Sequence, residues 1–346
     1  MDKRVSHKID YLRFVCTLGI VVYHSNSLYA FDLIADWKLI ALDYLRFTER
    51  VGFAAMNFFF FVSAFLLYYG ATRENISRKM RSRVNSLLVP FLLWQAVVFL
   101  YLIFFKSEQA REYINPLNLF FFSLSSGPLW YLMALLNYML PAYFIVRIKN
   151  KLAITIILAT IISYWTVRYL GLVPPLITYS NWWWYENMIQ YAPTYCLGAY
   201  LAIVFPNIIT KPKTNIFIDL LLGAFIIKCT LYLWNYHAQL LPAPIFGLLI
   251  MAGMWVGLNH QLFVFKPLKL FSCAFYIYAL HNPVLIPCFD ELVMPLINPY
   301  GPFGIHTVEL LKGFEICLIV IAAWLIKAII DFLLPERMAK MFTGSR

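Results

Sequence analysis

Charged residues are scarce in this chain of 346 residues, because only 13% of them are Asp, Glu, Lys or Arg. No polar stretch is long enough to form a separate soluble domain, whereas 62% of the residues are hydrophobic and 18% are aromatic. A soluble globular protein has about 25% charged residues, so this composition excludes that class. It predicts an integral membrane protein with a single polytopic domain over residues 1–346.

Several common site signatures are also missing. The sequence has no GxGxxG, GxxxxGK[ST] or GxSxG segment, which are the patterns of nucleotide-binding loops and of a nucleophile elbow. Its six cysteines are scattered through apolar segments, without a CxxC pair or a histidine in ligand register. They predict neither a disulfide framework nor a metal site, and we expect no bound cofactor.

Long apolar runs take the place of polar segments. Each has about 18–25 residues, which as a helix is enough to cross a hydrocarbon core of about 30 Å. Ten such runs are present, at residues 10–31, 51–71, 86–105, 118–145, 152–170, 187–205, 215–234, 240–258, 268–289 and 311–334. The predicted fold is therefore all-α, a bundle of about ten transmembrane helices.

Lysine and arginine are distributed unevenly between these runs. Segments 1–9, 72–85, 147–151, 206–214 and 259–269 hold fifteen of these cations against two carboxylates, and the alternating segments are neutral or acidic. Cytoplasmic loops carry the excess of Lys and Arg, so both termini are predicted to be cytoplasmic. The formal net charge of +11 is then mostly a topology signal, and we expect no nucleic-acid partner.

Three ionisable residues share one face of the first predicted span. Arg13 and His24 are eleven positions apart, which is about three helical turns or roughly 16 Å, and Asp10 lies on the same stripe. An arginine near the centre of a membrane helix costs about 2.5–3.5 kcal/mol, so such residues usually face a polar interior and carry function. The alternative is that Arg13 snorkels to the cytoplasmic headgroups, paired with Asp10, and that His24 only packs.

Six motifs follow one another along nearly the whole chain. They are Arg13-x10-His24, FFFFVSAFLL (58–67), RKMRSRVNSLLVPFLLW (78–94), GPLWYL (127–132), YCLGAYL (195–201) and FYIYALHNPVL (275–285). In this order they resemble the membrane-bound acyltransferase-3 family, particularly its short members that modify cell-surface polysaccharides. Ala64 stands where the family usually has glycine. Two further departures matter for function: Asn57 stands where many relatives have aspartate or proline, and Gly127-Pro128 where some relatives have histidine.

The resemblance implies an O-acyltransferase that spans the bacterial cytoplasmic membrane several times. It would transfer an acyl group, most commonly acetyl, from a cytoplasmic acyl-CoA to a hydroxyl of a cell-surface or lipid-linked polysaccharide. Its partners would be the lipid bilayer, acyl-CoA as a co-substrate and the carbohydrate acceptor. A polytopic transporter or exporter of a polysaccharide precursor or a small anionic substrate is the alternative, although the sequence shows no inverted repeat.

Acyl transfer from a thioester to a hydroxyl needs a base at the hydroxyl and a hydrogen-bond donor at the developing oxyanion. Histidine suits this proton transfer near neutral pH. His24 and His281 lie about fifteen and about twelve residues into spans entered from the same side, so both are expected near mid-membrane. We predict His24 as the base, with Arg13 in support. For His281 a packing role, bonded to Tyr278 or to a backbone carbonyl, is equally open.

The donor requires cations on the cytoplasmic side, because acyl-CoA is polyanionic. The densest cationic cluster lies directly before the third span and includes Arg78, Lys79, Arg81 and Arg83. Guanidinium groups match phosphate oxygens bidentately, so Arg78, Arg81 and Arg83 are predicted donor-binding residues. The positive-inside bias alone is the alternative explanation.

Five residues are assigned supporting or acceptor-side roles: Asp10, Asn57, Ser63, Trp130 and Tyr131. Asp10 would hold the rotamer of Arg13, and Asn57 cannot take a carboxylate role. Ser63 could hold a substrate, although a serine in a membrane helix more often bonds its own backbone. Trp130 and Tyr131 could line an acceptor groove, although aromatic residues are also common at helix ends.

Overall fold

A computed structural model describes residues 1–25, 35–105, 129–148, 150–169, 183–210, 215–238, 241–293 and 304–343. This part of the chain is all-helical, with 87% helix and no strand, which confirms the all-α part of the predicted fold class. The Gly127-Pro128 pair, where the sequence departs from the family pattern, lies outside the described residues.

The helices are numbered here in chain order. They are α1 (Lys3–His24), α2 (Ala35–Tyr68), α3 (Ile76–Phe105), α4 (Trp130–Met139), α5 (Ala142–Ile145), α6 (Lys151–Tyr169), α7 (Trp183–Val204), α8 (Pro206–Thr210), α9 (Ile216–Tyr236), α10 (Ala243–Gly257), α11 (Ala274–Leu280), α12 (Ile286–Val293), α13 (Gly304–Leu333) and α14 (Glu336–Thr343). Two 3-10 turns cover His260–Leu262 and Lys269–Cys273, and a π-helical turn, His281–Leu285, joins α11 to α12.

Four of the described helices are long and apolar enough to cross a membrane. These candidate spans are Arg46–Tyr68, Ile76–Tyr101, Ile216–Tyr236 and Gly313–Leu333. Shorter apolar helices cover Trp130–Ile145, Lys151–Tyr164, Ala243–Gly257 and Lys269–Leu280. The charged residues in the first half of α1 lower its hydropathy, and it is not among the four. An integral membrane protein is supported, while the count of ten spans and the cytoplasmic position of both termini remain predictions.

The outer surface of α9 carries an exposed apolar stripe. Phe217, Leu221 and Phe225 follow one another at intervals of four residues and are 74%, 71% and 64% exposed. Residues four apart lie on one face of a helix, so they form a continuous apolar stripe. Such a stripe is unfavourable in water and favourable against acyl chains.

The described chain forms two compact units, each assembled from segments that are far apart in sequence. The first comprises Met1–Cys16, Phe53–Val84 and Ala134–Pro267, and the second comprises Thr17–Gly52, Asn85–Met133 and Leu268–Arg346. Neither unit is one contiguous stretch of chain. A single domain over residues 1–346 remains a prediction.

Glycines allow helices of the first unit to approach closely. A Cβ atom at Gly198 of α7 would overlap the backbone of α2 at Phe61, and one at Gly247 of α10 would lie 2.8 Å from atoms of Phe53 and Asn57. Membrane helices commonly associate through small residues of this kind. The glycine of the YCLGAYL motif thus has a packing reason.

A buried polar cluster holds the beginning of α1 in the first unit. The Lys8 amine is almost fully buried, donates a hydrogen bond to the Trp255 carbonyl and lies 4.0 Å from the centroid of the Trp255 ring. Nearby, the Asn259 amide donates to the Asp219 carboxylate, and both side chains are buried. Lys8 is therefore a packed residue as well as one of the cations that the topology argument counts.

Candidate active site

Two histidines from distant parts of the sequence meet in the second unit. His24 is the last residue of α1, and His281 is the first residue of the π-helical turn. Their ring centroids are 5.2 Å apart and the ring planes are inclined by 46°. His24 is half-buried, whereas His281 is fully buried. The structure thus brings two of the three predicted catalytic residues together.

The ring of His281 has one occupied nitrogen and one unoccupied nitrogen. Its Nδ1 lies 2.8 Å from the carbonyl oxygen of Tyr278 and 3.1 Å from that of Ile277. Carbonyl oxygens only accept, so Nδ1 carries the hydrogen and donates it. The buried Nε2 then holds a lone pair and has no hydrogen-bond partner in the described part of the chain. These contacts match the packing alternative for His281. Its ring is fully buried, whereas that of His24 is more exposed.

His24 is contacted by its neighbours in the second unit. The side-chain amide of Asn282 donates to Nδ1 of His24 across 3.4 Å, and the Tyr23 ring meets the His24 ring edge-on at 4.9 Å. The next residue, Ser25, donates its hydroxyl hydrogen to the Glu315 carboxylate at 2.5 Å, and both side chains are fully buried. The end of α1 is therefore attached to α13 and to the π-helical turn.

Sequence reasoning missed Asn282 and Glu315. A signal for Glu315 was present, because it is an ionisable residue in the apolar run 311–334, and such residues mark functional positions in membrane helices. Asn282 directly follows a histidine that was already singled out. Only the tertiary structure shows that its amide contacts the other histidine.

Aromatic residues surround the pair. The Tyr131 and Tyr278 ring centroids are 5.9 Å apart, and those of Tyr278 and His281 are 6.1 Å apart. Tyr131 is buried and Trp130 is half-buried at the first turn of α4. The structure thus connects Tyr131 to the histidines through Tyr278, which favours a wall of packed rings over an open acceptor groove at Tyr131.

A glycine sets the position of the residue before His24. A Cβ atom at Gly52 of α2 would lie 2.7 Å from the Tyr23 ring. Any larger residue there must displace this ring, which itself contacts the ring of His24. The absence of a side chain at Gly52 therefore helps to fix the end of α1.

Arg13 belongs to the first unit, on the same unbroken helix as His24. Its guanidinium lies 3.1 Å from the Asp10 carboxylate, and the two side chains are 47% and 39% exposed. An exposed pair of this kind contributes less than about 1 kcal/mol to stability. The pairing that the sequence suggested is present, and its main effect is to orient the arginine.

Asn57 is fully buried in the first unit and bonds three helices together. Its side-chain amide donates to the Phe53 carbonyl at 2.7 Å and to the Pro244 carbonyl at 2.9 Å. The Thr194 hydroxyl donates to the Asn57 side-chain oxygen. These contacts favour a structural role for Asn57. Ser63 lies half-buried further along α2.

The cationic cluster at the start of α3 divides into two kinds of residue. Lys79 donates to two backbone carbonyls at the end of α2, at 2.9 and 2.6 Å, so it caps that helix. Arg78 and Arg81 are exposed, lie three residues apart on one face, and have no ion-pair partner among the described residues. Arg83 is half-buried. Two of the three predicted donor-binding arginines are therefore available to a phosphate.

In the described ranges, no group of three His, Cys, Asp or Glu side chains is arranged to hold a metal ion. A family model described as an acyltransferase domain, that of acyltransferase-3, matches residues 6–329. The match covers nearly the whole chain and contains every predicted site residue. No curated protein and no solved structure matches the chain significantly.

Proposed function

Because the chain belongs to the acyltransferase-3 family, we propose that it transfers an acyl group, specifically acetyl, from cytoplasmic acetyl-CoA to a hydroxyl of a cell-surface or lipid-linked polysaccharide. The observation that carries this proposal is the pair formed by His24 and His281, whose rings come from two separate family-like motifs and lie 5.2 Å apart. The bacterial cytoplasmic membrane is the proposed location.

His24 acts as the general base in this proposal. It removes the proton of the acceptor hydroxyl as that oxygen attacks the thioester carbonyl carbon, and the new C–O bond replaces the C–S bond. The imidazolium then returns the proton to the departing CoA thiolate. The difference in burial supports this role, since a half-buried ring can meet a substrate and the fully buried ring of His281 cannot without rearrangement.

The arginines bind the donor. Arg78, Arg81 and Arg83 pair with the phosphates of acetyl-CoA from the cytoplasmic end of α3, and two of them are exposed. Arg13 is held by Asp10 about three turns before His24, too far for direct contact on one helix. It orients the cytoplasmic part of the donor, while His24 acts at the thioester.

One assay separates this proposal from the transporter alternative. Purified protein in detergent is incubated with radiolabelled acetyl-CoA and a polysaccharide acceptor, and label in the acceptor is counted. The enzyme transfers label in proportion to time and protein. A transporter leaves the acceptor unlabelled, and that result would overturn the proposal.

A further inference from the structure

We infer that Asn282 is a positioning residue that orients His24 for proton transfer. The catalytic meaning of this inference rests on the proposed function, whereas the contact itself does not. Asn282 is half-buried and its amide donates to Nδ1 of His24 at 3.4 Å. A neutral ring that accepts at Nδ1 carries its hydrogen on Nε2, so Nε2 can take the proton of the acceptor hydroxyl only in the other tautomer, in which Nδ1–H donates to the amide oxygen. A base whose far side is held by a third group is the usual arrangement in activated nucleophile sites.

The backbone around Asn282 is held in place from two sides. Pro283 has no N–H, so it cannot donate the α-helical hydrogen bond that would continue α11, and a π-helical turn begins at His281. Such turns are frequent at functional sites. The preceding residue, His281, is fixed by its two backbone contacts to Ile277 and Tyr278. The amide that follows it is therefore presented from an anchored turn.

The other partner of the contact is anchored too. Ser25 follows His24 directly, donates its hydroxyl to Glu315, and its backbone N–H bonds the Val21 carbonyl at 2.8 Å. This fixes the last turn of α1 in the same unit as the π-helical turn. Two fixed backbones that hold one amide against one ring produce a defined ring orientation.

An asparagine suits a ring that changes its protonation state. Its NH₂ group donates to a bare Nδ1, which is the arrangement in the structure. After a half-turn of the amide, its oxygen accepts from an Nδ1–H, which is the form in which Nε2 has a lone pair and can take a proton. With its oxygen turned to Nδ1–H, Asn282 holds the ring both as the neutral base and as the imidazolium, which share that hydrogen, whereas a leucine offers neither contact and an aspartate only accepts.

The kinetic test compares Asn282→Leu, which keeps the approximate size, with Asn207→Leu at an exposed asparagine of α8. We expect Asn282→Leu to lower kcat for acetyl transfer by about 10–10²-fold, the scale of a misplaced reacting group, without raising the KM for acetyl-CoA. Asn207→Leu leaves both parameters unchanged. A variant that retains the wild-type kcat overturns the inference.

A second measurement needs no activity. Diethyl pyrocarbonate modifies unprotonated imidazole nitrogens, and the modification of His24 can be followed by peptide mass spectrometry. Asn282→Leu uncovers Nδ1, so His24 should react faster than in the wild type. Asn282→Asp places a carboxylate there, favours the charged ring, and should slow the reaction. This variant carries the test if the leucine variant does not fold.

The outcomes separate the two claims. If the wild type transfers acetyl but neither variant changes kcat or the labelling of His24, the proposed function stands and the positioning role is wrong. If the wild type transfers nothing while the two variants shift the labelling in opposite directions, the contact is real and the proposed function is wrong.

Discussion

In the second unit, the two histidine rings have different surroundings. His24 is half-buried and touched at Nδ1 by a neutral amide, whereas His281 is fully buried and tied by Nδ1 to its own backbone. Histidine type alone does not distinguish them. The greater exposure of His24 favours it over His281 as the proposed base.

The arginines of α3 can be tested at the same scale. Changing Arg81 and Arg83 together to alanine removes two guanidinium groups that we propose to pair with CoA phosphates, so the KM for acetyl-CoA should rise by about tenfold or more, since each charge-assisted hydrogen bond contributes about 1.5–3 kcal/mol. Steady-state kinetics over a range of donor concentrations measures this. The value of kcat at saturating donor should change little.

The matched control is Arg337→Ala, because Arg337 is an exposed arginine on α14, near the other predicted cytoplasmic end of the chain. It should leave the KM unchanged. If both changes affect the KM equally, or neither does, the arginines of α3 serve membrane topology alone.

The sequence was sufficient to single out the residues whose polarity conflicts with the apolar segment around them. Arg13, His24 and His281 stand out because an apolar run does not otherwise tolerate them. The partners of these residues could not be found in the same way. Asn282 is a common residue type beside a proline, and its role depends on α1 and the π-helical turn meeting in space.

Contacts between helices explain several motif residues better than a catalytic or substrate-binding role does. Gly198 of α7 and Gly247 of α10 allow close approach to α2, and Asn57 then bonds both neighbouring helices at that contact. Side chains that hydrogen-bond between membrane helices contribute modestly, about 0.6–2 kcal/mol each. Three bonds at one buried side chain make Asn57 a structural residue of α2.

Replacing Asn57 should therefore affect stability. Asn57→Ala leaves the Thr194 hydroxyl and the Pro244 carbonyl without this partner, which costs about 1–3 kcal/mol for each buried group left unsatisfied. Asn57→Asp should be worse, since a carboxylate cannot donate to the two carbonyls that the amide now contacts. Thermal unfolding in detergent measures both, and Asn207→Ala at an exposed asparagine serves as the control.

An activity measurement provides the outcome that would contradict this prediction for Asn57. If the Asn57→Ala protein melts at the wild-type temperature but no longer transfers acetyl, the structural role is wrong and Asn57 instead acts in acceptor binding. Sequence alone could not decide between these roles, because a polar residue in a span is compatible with either. The contacts with two other helices, at Pro244 and Thr194, are what favours the structural role.

For the whole molecule, composition was the strongest predictor. The scarcity of charge and the recurrence of apolar runs indicate a helical membrane protein, and the described chain is all-helical. Two compact units with interleaved segments could not be read from the sequence, because periodicity within a helix does not specify which distant helix it packs against. The positions of the loops relative to the membrane remain predictions that rest on charge alone.

That topology is directly testable. Reporter fusions after Arg83 and after Lys213 should report a cytoplasmic position, because these sites lie in segments rich in Lys and Arg. Fusions near Asp43, Ser180 and Asn298 should report an external position. A single site with the opposite result breaks the alternation and requires a different number of spans.

The most direct test of the central claim is the initial rate of acetyl transfer by His24→Ala, measured with radiolabelled acetyl-CoA on equal amounts of folded protein. His237→Ala, at an exposed histidine after α9, is the control. Loss of a positioned base costs about 10²–10⁴-fold in rate, so His24→Ala should lose transfer on that scale while still binding acetyl-CoA, and His237→Ala should retain it. Near-normal turnover by His24→Ala would contradict the account and move the base to His281.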